Sequence, residues 1–256
     1  MSRFETIGIA GVGDLGAQMA VQAAAFYPVV RGFDIVPRPI APDATGIDKL
    51  MTQARAINPM EWVDDLDKLL DTSSIIHVTG RTKETAADIT HLPEDSLLVL
   101  HSSAMSESLE EAKRLRGLPK VAGEIAIVHC TMNDLRTVSV ADDLGPTDRI
   151  QQHLLELRLN PVVTNTDAED RLAARSQGLA ALIHQVVQGP TGSLLAIDAA
   201  AGLLTPSGND VHELVQRREL NWTAGTRASL LRNPHLLPLI DRMRRIVEEA
   251  QGIQHE

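Results

Sequence analysis

The sequence predicts a doubly wound α/β domain with a parallel sheet, followed by an all-helical C-terminal domain. Three observations carry this expectation. A short apolar run, Ile7-Gly8-Ile9-Ala10, leads through a glycine-rich turn into a helix-forming run, Ala17 to Phe26. Strand-like and helix-like segments of ordinary length then alternate, the pattern that builds parallel sheets. From Asp167 onward strand signals cease and long helical periodicity takes over. Residues 1–165 are therefore expected to form the sheet domain and residues 166–256 the helical one.

The first turn reads Gly11-Val12-Gly13-Asp14-Leu15-Gly16. Its spacing has a physical reason: Gly11 permits the sharp bend, Gly13 has no Cβ to hold a pyrophosphate off the backbone, and Gly16 lets the helix lie close to its strand. The N-terminus of that helix offers N–H groups and the positive end of a dipole to phosphates. Such a turn alone is a weak signal, because glycines also mark plain bends. Here a second strand, Val29 to Phe33, ends in Asp34, where an acidic side chain accepts hydrogen bonds from an adenine ribose. The combination specifies a Rossmann-type dinucleotide-binding domain. The carboxylate of Asp34 favours NAD over NADP by repelling a 2′-phosphate, although Arg31 and Arg38 would soften that repulsion. Asp14 suits a helix N-terminus but stands near the phosphates, and is expected to point outward.

The elements after Asp34 follow in order. A loop rich in Pro and Asp, Ile35 to Gly46, precedes helical stretches at Asp48 to Ala56 and Asp64 to Leu70. Ser74 to Val78 reads as a buried strand, with Thr79-Gly80-Arg81 as its exit. Thr82 to Thr90 is helical, and Ser96 to Leu100 is the next strand, running into His101-Ser102-Ser103. A charged helix, Ser106 to Leu115, leads to the strand Gly123 to Val128, which delivers His129. Thr137 to Val140 and Pro161 to Thr164 are further strands flanking a helix from Thr147 to Leu157. The helical half comprises Glu169 to Gln188, Ser193 to Leu204, Asp210 to Arg232 and His235 to Gln251. An apolar face including Leu172, Leu179, Leu182, Ile183 and Val186 exceeds what a small bundle covers, which predicts a homodimer joined through these helices.

Composition narrows the partners. The 256 residues can bury a sizeable core, and with 43% hydrophobic but only 2% aromatic residues that core is aliphatic. Against 34 acidic residues stand 24 Lys and Arg, a net charge of 24 − 34 = −10, which argues against nucleic acid. The last lysine is Lys120 and every later cation is Arg, suited to bidentate capture of carboxylates. The single cysteine, Cys130, leaves no internal disulfide, and no histidine pair has metal-ligand spacing, so no metal is expected. No run approaches the ~20 apolar residues of a membrane span. A soluble, cytoplasmic protein is expected.

Ligands of such sheets lie beyond the strand C-termini. Gly11, Thr79, Ser103 and His129 are all expected at such ends, sharing one cleft. His129 is the candidate general acid/base, since an imidazole titrates near neutrality. Ser103 is placed to hydrogen-bond the same substrate hydroxyl or the coenzyme carboxamide. The competing reading is that His129 merely caps a strand. His77 reads as core and His101 as a supporting residue at a strand end, while His91, His153, His235 and His255 read as surface. Cys130 beside His129 does not make a nucleophilic pair, because neighbours in an extended chain point to opposite faces.

From His129 the chain resembles the prephenate/arogenate dehydrogenase family. The matching stretches are HCTMNDLRTVSVADD and DAEDRLAARSQGLAAL, with Ser103 matching the serine after the preceding strand and His129 the histidine. Asp167 to Arg171 match an acidic run, Gln177 a polar helical position and Thr205-Pro206 a turn, while Leu230 to Leu236 is similar to an LxxNPxL junction. The resemblance implies NAD-dependent oxidative decarboxylation of a small anionic ring acid. It gives His129 the proton of the ring hydroxyl, Ser103 a supporting catalytic role, and Gln177 with Arg218 or Arg217 the substrate. The cofactor falls to Gly11, Val12, Gly13, Asp14, Leu15, Gly16, Asp34, Thr79 and Gly80. The family's His-Pro-Met stands here as His129-Cys130-Thr131-Met132, which leaves the ring substituent open among prephenate, arogenate and a 4-amino analogue.

Two other readings stay open. A β-hydroxyacid dehydrogenase or imine reductase also joins such a domain to helices, and the hydroxyacid enzymes need a helical-domain lysine that this chain lacks. A non-catalytic dinucleotide sensor would retain the glycine turn without the chemistry.

Overall fold

The computed structural model describes residues 6–34, 60–80, 82–130, 137–178 and 230–250. The chain divides into two compact units, Met1–Asp167 and Ala168–Glu256. In the first, eight strands among the described residues form one sheet. They are β1 (Thr6–Ala10), β2 (Val29–Phe33), β3 (Met60–Trp62), β4 (Ile75–Val78), β5 (Leu97–His101), β6 (Glu124–Cys130), β7 (Thr137–Ala141) and β8 (Asn160–Thr164), in the order β3-β2-β1-β4-β5-β6-β7-β8. The order reverses between β1 and β4, which opens a crevice at their C-terminal ends.

The first six strands run parallel, but β7 is antiparallel to β6 and β8 follows β7 in parallel. The doubly wound parallel sheet expected from the sequence is thus present, with an antiparallel step at β7. Only residues 131–136 separate β6 from β7, too few for the crossover a parallel return requires, so the chain must double back. The edge strand β3, three residues long, carries no periodicity that a sequence reading can detect.

Helices cover both faces. The elements are α1 (Asp14–Ala24), α2 (Leu66–Thr72), α3 (Thr82–Asp88), α4 (Met105–Arg116), α5 (Asp148–Glu156), α6 (Thr166–Ala173) and α7 (Leu236–Ala250). One layer packs Ile7, Ile9, Ile75, Val99 and Val128 against Ala17, Ala20 and Ala24 of α1 and Ile150 and Leu154 of α5. The other packs Ile76, Leu98, Leu100 and Ile127 against Leu69 and Leu70 of α2 and Ala112 and Leu115 of α4. Every residue of β4 and β5 is buried, as expected of central parallel strands covered on both sides. Alanines on α1 bring that helix close to the sheet, and each buried Ile or Leu contributes about 1.5–3 kcal/mol.

Local signals set the helix ends. The Asp65 side chain accepts from Lys68 N at 2.6 Å, capping α2. α4 carries Glu107 in its first turn and Lys113, Arg114 and Arg116 in its last, complementing its dipole.

In the second unit α6 runs into a π-helical turn, Ala174–Gly178. The buried Asn233 donates its amide to the Asp170 carbonyl at 2.8 Å and accepts from His235 N at 2.9 Å, fixing the start of α7. The expected helices over Asp48 to Ala56 and Ser193 to Leu204, that over Asp210 to Arg232 up to residue 229, and the Thr205-Pro206 turn lie outside the described residues, as do the apolar positions 179, 182, 183 and 186.

Candidate active site

The glycine turn lies where the strand order reverses. Gly11 follows β1 with φ +90°, a conformation open to glycine and strained for other residues. A Cβ there would stand 2.5 Å from Gly80 N, because the exits of β1 and β4 touch back to back. Thr79 ties them together, donating its backbone N–H to the Ala10 carbonyl at 2.9 Å and its hydroxyl to the Gly11 carbonyl at 2.5 Å. A Cβ on Gly16 would come within 2.2 Å of the Gly11 carbonyl, so α1 presses directly on the bend.

Gly13 differs in kind. Its two chain neighbours apart, no described atom lies within 4 Å of where its Cβ would be, and as the N-cap of α1 it leaves that helix without a side-chain cap. A helix N-terminus without a side-chain cap, behind a glycine whose Cβ position is open, is the cradle a pyrophosphate needs. At the end of β2, Asp34 Oδ2 accepts from Val12 N at 2.8 Å, which sets the carboxylate beside the turn. These residues fit a nicotinamide dinucleotide. Val12 is buried and Leu15 half-buried against the α1 layer, while the side chain of Asp14 lies outside the described residues.

Arg31 bears on the choice of coenzyme. Its Nε donates to Glu61 Oε2 at 2.8 Å across the β2–β3 pair, and its Nη1 to the Thr72 carbonyl. That guanidinium is held on the sheet by partners of its own. Arg38 lies outside the described residues.

His129 is the penultimate residue of β6, buried, and paired with Ser139 of β7. It stands within the strand and not after it, because the ladder to β7 carries β6 on to Cys130. Ser103 is half-buried in the turn between β5 and α4. Within that turn Ser102 folds its hydroxyl back onto Ala104, accepting from the Ala104 N–H at 3.2 Å and donating to its carbonyl at 2.6 Å. His129 and Ser103 therefore sit at the C-terminal ends of neighbouring strands. Cys130 is buried and its thiol is pushed up to about 12 by desolvation, which disfavours the thiolate a nucleophile needs.

In the second unit Gln177 lies in the π-helical turn, half-buried. Arg217 and Arg218 lie outside the described residues. No group of His, Cys, Asp and Glu among the described residues is arranged to hold a metal, and no described helix is long and apolar enough to cross a membrane.

One expectation is corrected. His153, read as a surface residue, is fully buried. It shares the inner face of α5 with Ile150, Leu154 and Leu157, the i, i+3, i+4, i+7 stripe that would have placed it inside. There it meets His77 and Tyr27, and His77 in turn meets His101.

No family model matches the sequence, and no curated protein matches it. Solved structures do. A prephenate dehydrogenase from A. aeolicus, in complex with hydroxyphenyl propionate and NAD+, superposes with a TM-score of 0.68 at 14% identity, over 99% of this chain and 91% of its own. The arogenate dehydrogenase of Synechocystis gives 0.62 at 15% identity, over 97% and 91%. This chain has their fold. An imine reductase from Myxococcus stipitatus, solved with NAD+, gives 0.53 at 13% identity over 96% and 77%. The Rossmann-type architecture expected from the glycine turn is thus the one observed.

Proposed function

We propose that the protein is an NAD-dependent dehydrogenase that oxidises and decarboxylates prephenate or a close cyclohexadienyl analogue, arogenate or 4-amino-4-deoxyprephenate. The observation that carries this reading is the glycine cradle with its anchored Asp34, on a chain that superposes nearly end to end on prephenate and arogenate dehydrogenases. Engagement of Arg31 by Glu61 and Thr72 supports NAD over NADP, because that cation is held away from a 2′-phosphate.

Bound NAD supplies the two-electron acceptor. Gly13 and the first turn of α1 hold its pyrophosphate, and Asp34 its adenine ribose. His129 holds and accepts the proton of the substrate's ring hydroxyl, and Ser103 hydrogen-bonds the same oxygen. Gln177 and Arg218, or its neighbour Arg217, hold the substrate carboxylate, a task for which a guanidinium fork is the matching device. Leu172, Leu237 and Ile246, each more than half exposed on helices of the second unit, support a homodimer joined through that unit.

The test is NADH formation measured with each of the three ring acids and with a saturated β-hydroxy acid. Turnover on a ring acid with release of carbon dioxide is expected. Oxidation of the hydroxy acid alone would establish the hydroxyacid reading, and NAD binding without turnover on any acid would establish a sensor.

A further inference from the structure

Five hydrogen bonds run in series through the core on the α1/α5 side of the sheet. Cys130 Sγ lies 3.5 Å from His101 Nδ1, and His101 Nε2 lies 2.8 Å from His77 Nδ1. His77 Nε2 lies 2.9 Å from His153 Nε2, His153 Nδ1 lies 2.9 Å from Tyr27 Oη, and Tyr27 Oη lies 2.9 Å from Glu156 Oε2. All but the half-buried Glu156 are buried.

Chemistry gives this chain one direction. The three rings are neutral: desolvation brings His77 down to about 3 and holds His101 and His153 well below the usual imidazole range, with Arg149 on α5 opposing charge on His153. A neutral imidazole has one N–H and one accepting nitrogen, so the series can be ordered in only two ways. A carboxylate only accepts, so Tyr27 donates its O–H to Glu156 and takes the Nδ1–H of His153. His153 Nε2 must then accept from His77 Nε2–H, and His77 Nδ1 from His101 Nε2–H. His101 Nδ1 is left to accept the weak S–H donor of Cys130. Every donor and acceptor in the series is matched.

The inner end lies at the last residues of β5 and β6, the strand ends where ligands of such sheets bind, and the outer end at the surface on α5. We infer that His101, His77, His153, Tyr27 and Glu156 form a proton relay between the substrate end of the sheet and solvent, with the Cys130 thiol resting on its inner end. The role in turnover rests on the dehydrogenase reading above; the order of the chain does not. A proton arriving on His101 Nδ1 displaces the thiol, the longest of the five contacts. His101 passes its Nε2 proton to His77 Nδ1, His77 its Nε2 proton to His153 Nε2, His153 its Nδ1 proton to Tyr27 Oη, and Tyr27 its proton to Glu156, which yields it to water. One proton enters and one leaves, with no change of oxidation state. Its source is the ring hydroxyl that the proposed reading sets on His129, one residue beyond Val128, the β6 register partner of His101. When the aromatised product takes a proton back on its phenolate oxygen, the chain runs in reverse and its first order returns.

The test has two arms on the full-length protein. In the first, ¹⁵N-histidine NMR at neutral pH is expected to show His153 protonated on Nδ1 and His77 and His101 on Nε2. Tyr27→Phe, which removes the acceptor, is expected to move the His153 proton to Nε2. A wild-type His153 protonated on Nε2, or any of the three rings charged, overturns the proposal whether or not an acid is oxidised. In the second, Glu156→Gln, a surface change that keeps the side chain's size but cannot take up a proton, is expected to lower kcat about 10-fold, with added imidazole buffer restoring it while the wild type is indifferent. A merely structural role would leave kcat independent of buffer, and that result overturns the relay. If the tautomers are as expected and no ring acid is oxidised, the chain order stands and the functional reading falls.

Discussion

The backbone N–H of Val12 donates to Asp34 Oδ2 at 2.8 Å, joining residues 22 apart in sequence. That bond braces the turn and fixes a negative charge beside it, where the proposed reading sets the adenine ribose. Asp34→Asn keeps an oxygen to accept from Val12 and removes only the charge. Its stability is expected to stay within about 0.5 kcal/mol of wild type, while the preference for NAD over NADP falls roughly 10-fold. Paired titrations with the two coenzymes check this.

The two ends of the glycine turn separate stability from binding. Gly16→Ala would drive a methyl to 2.2 Å from the Gly11 carbonyl, and is expected to cost about 2 kcal/mol or more in denaturant unfolding. Gly13→Ala meets nothing within 4 Å, so the protein is expected to fold with near-normal stability. Its dissociation constant for NAD is expected to rise about 10-fold or more, because the methyl fills the pyrophosphate approach.

His129→Ala is expected to lower kcat by about 100-fold or more with NAD affinity unchanged. Unchanged turnover would remove His129 from the mechanism. Arg218→Ala is expected to raise KM for the ring acid, and a KM that moves only in Arg217→Ala would shift the carboxylate contact by one residue.

The buried histidines set an acid limit. His77, His101 and His153 are neutral in the fold, with their pKa values depressed below the ordinary imidazole value that they regain on unfolding. Below about pH 6.5 the unfolded chain binds protons that the native one refuses. Stability is therefore full above that value and lost as pH falls toward the folded value near 3 of His77, by up to about 1.4 kcal/mol per pH unit for each histidine. Chemical denaturation between pH 7 and 4 measures this, and His153→Phe, which removes one titrating ring, is expected to flatten the slope.

Much of this was legible in the residue order. The spacing of Gly11, Gly13 and Gly16 and the acid at position 34 are local requirements of a bend, a helix start and a ribose, and they reach the sequence because each depends on a few adjacent residues. Strands β4 to β6 and helices α1 to α5 were readable as apolar runs and amphipathic stripes, to within a few residues at their ends. The antiparallel return of β7 was not read, because periodicity says nothing of direction; the short connection after Cys130 is what forces it.

What the sequence by itself determined is the doubly wound sheet, the cradle at its first bend and the strand ends that carry Ser103 and His129. Only the tertiary structure decided that His77, His101 and His153, at separations of 24 and 76 residues, meet tip to tip with Tyr27 and Glu156. A histidine's polarity is the same on either face of a helix or strand. Its neutrality and its partners come from burial among groups that the chain brings together only when it folds.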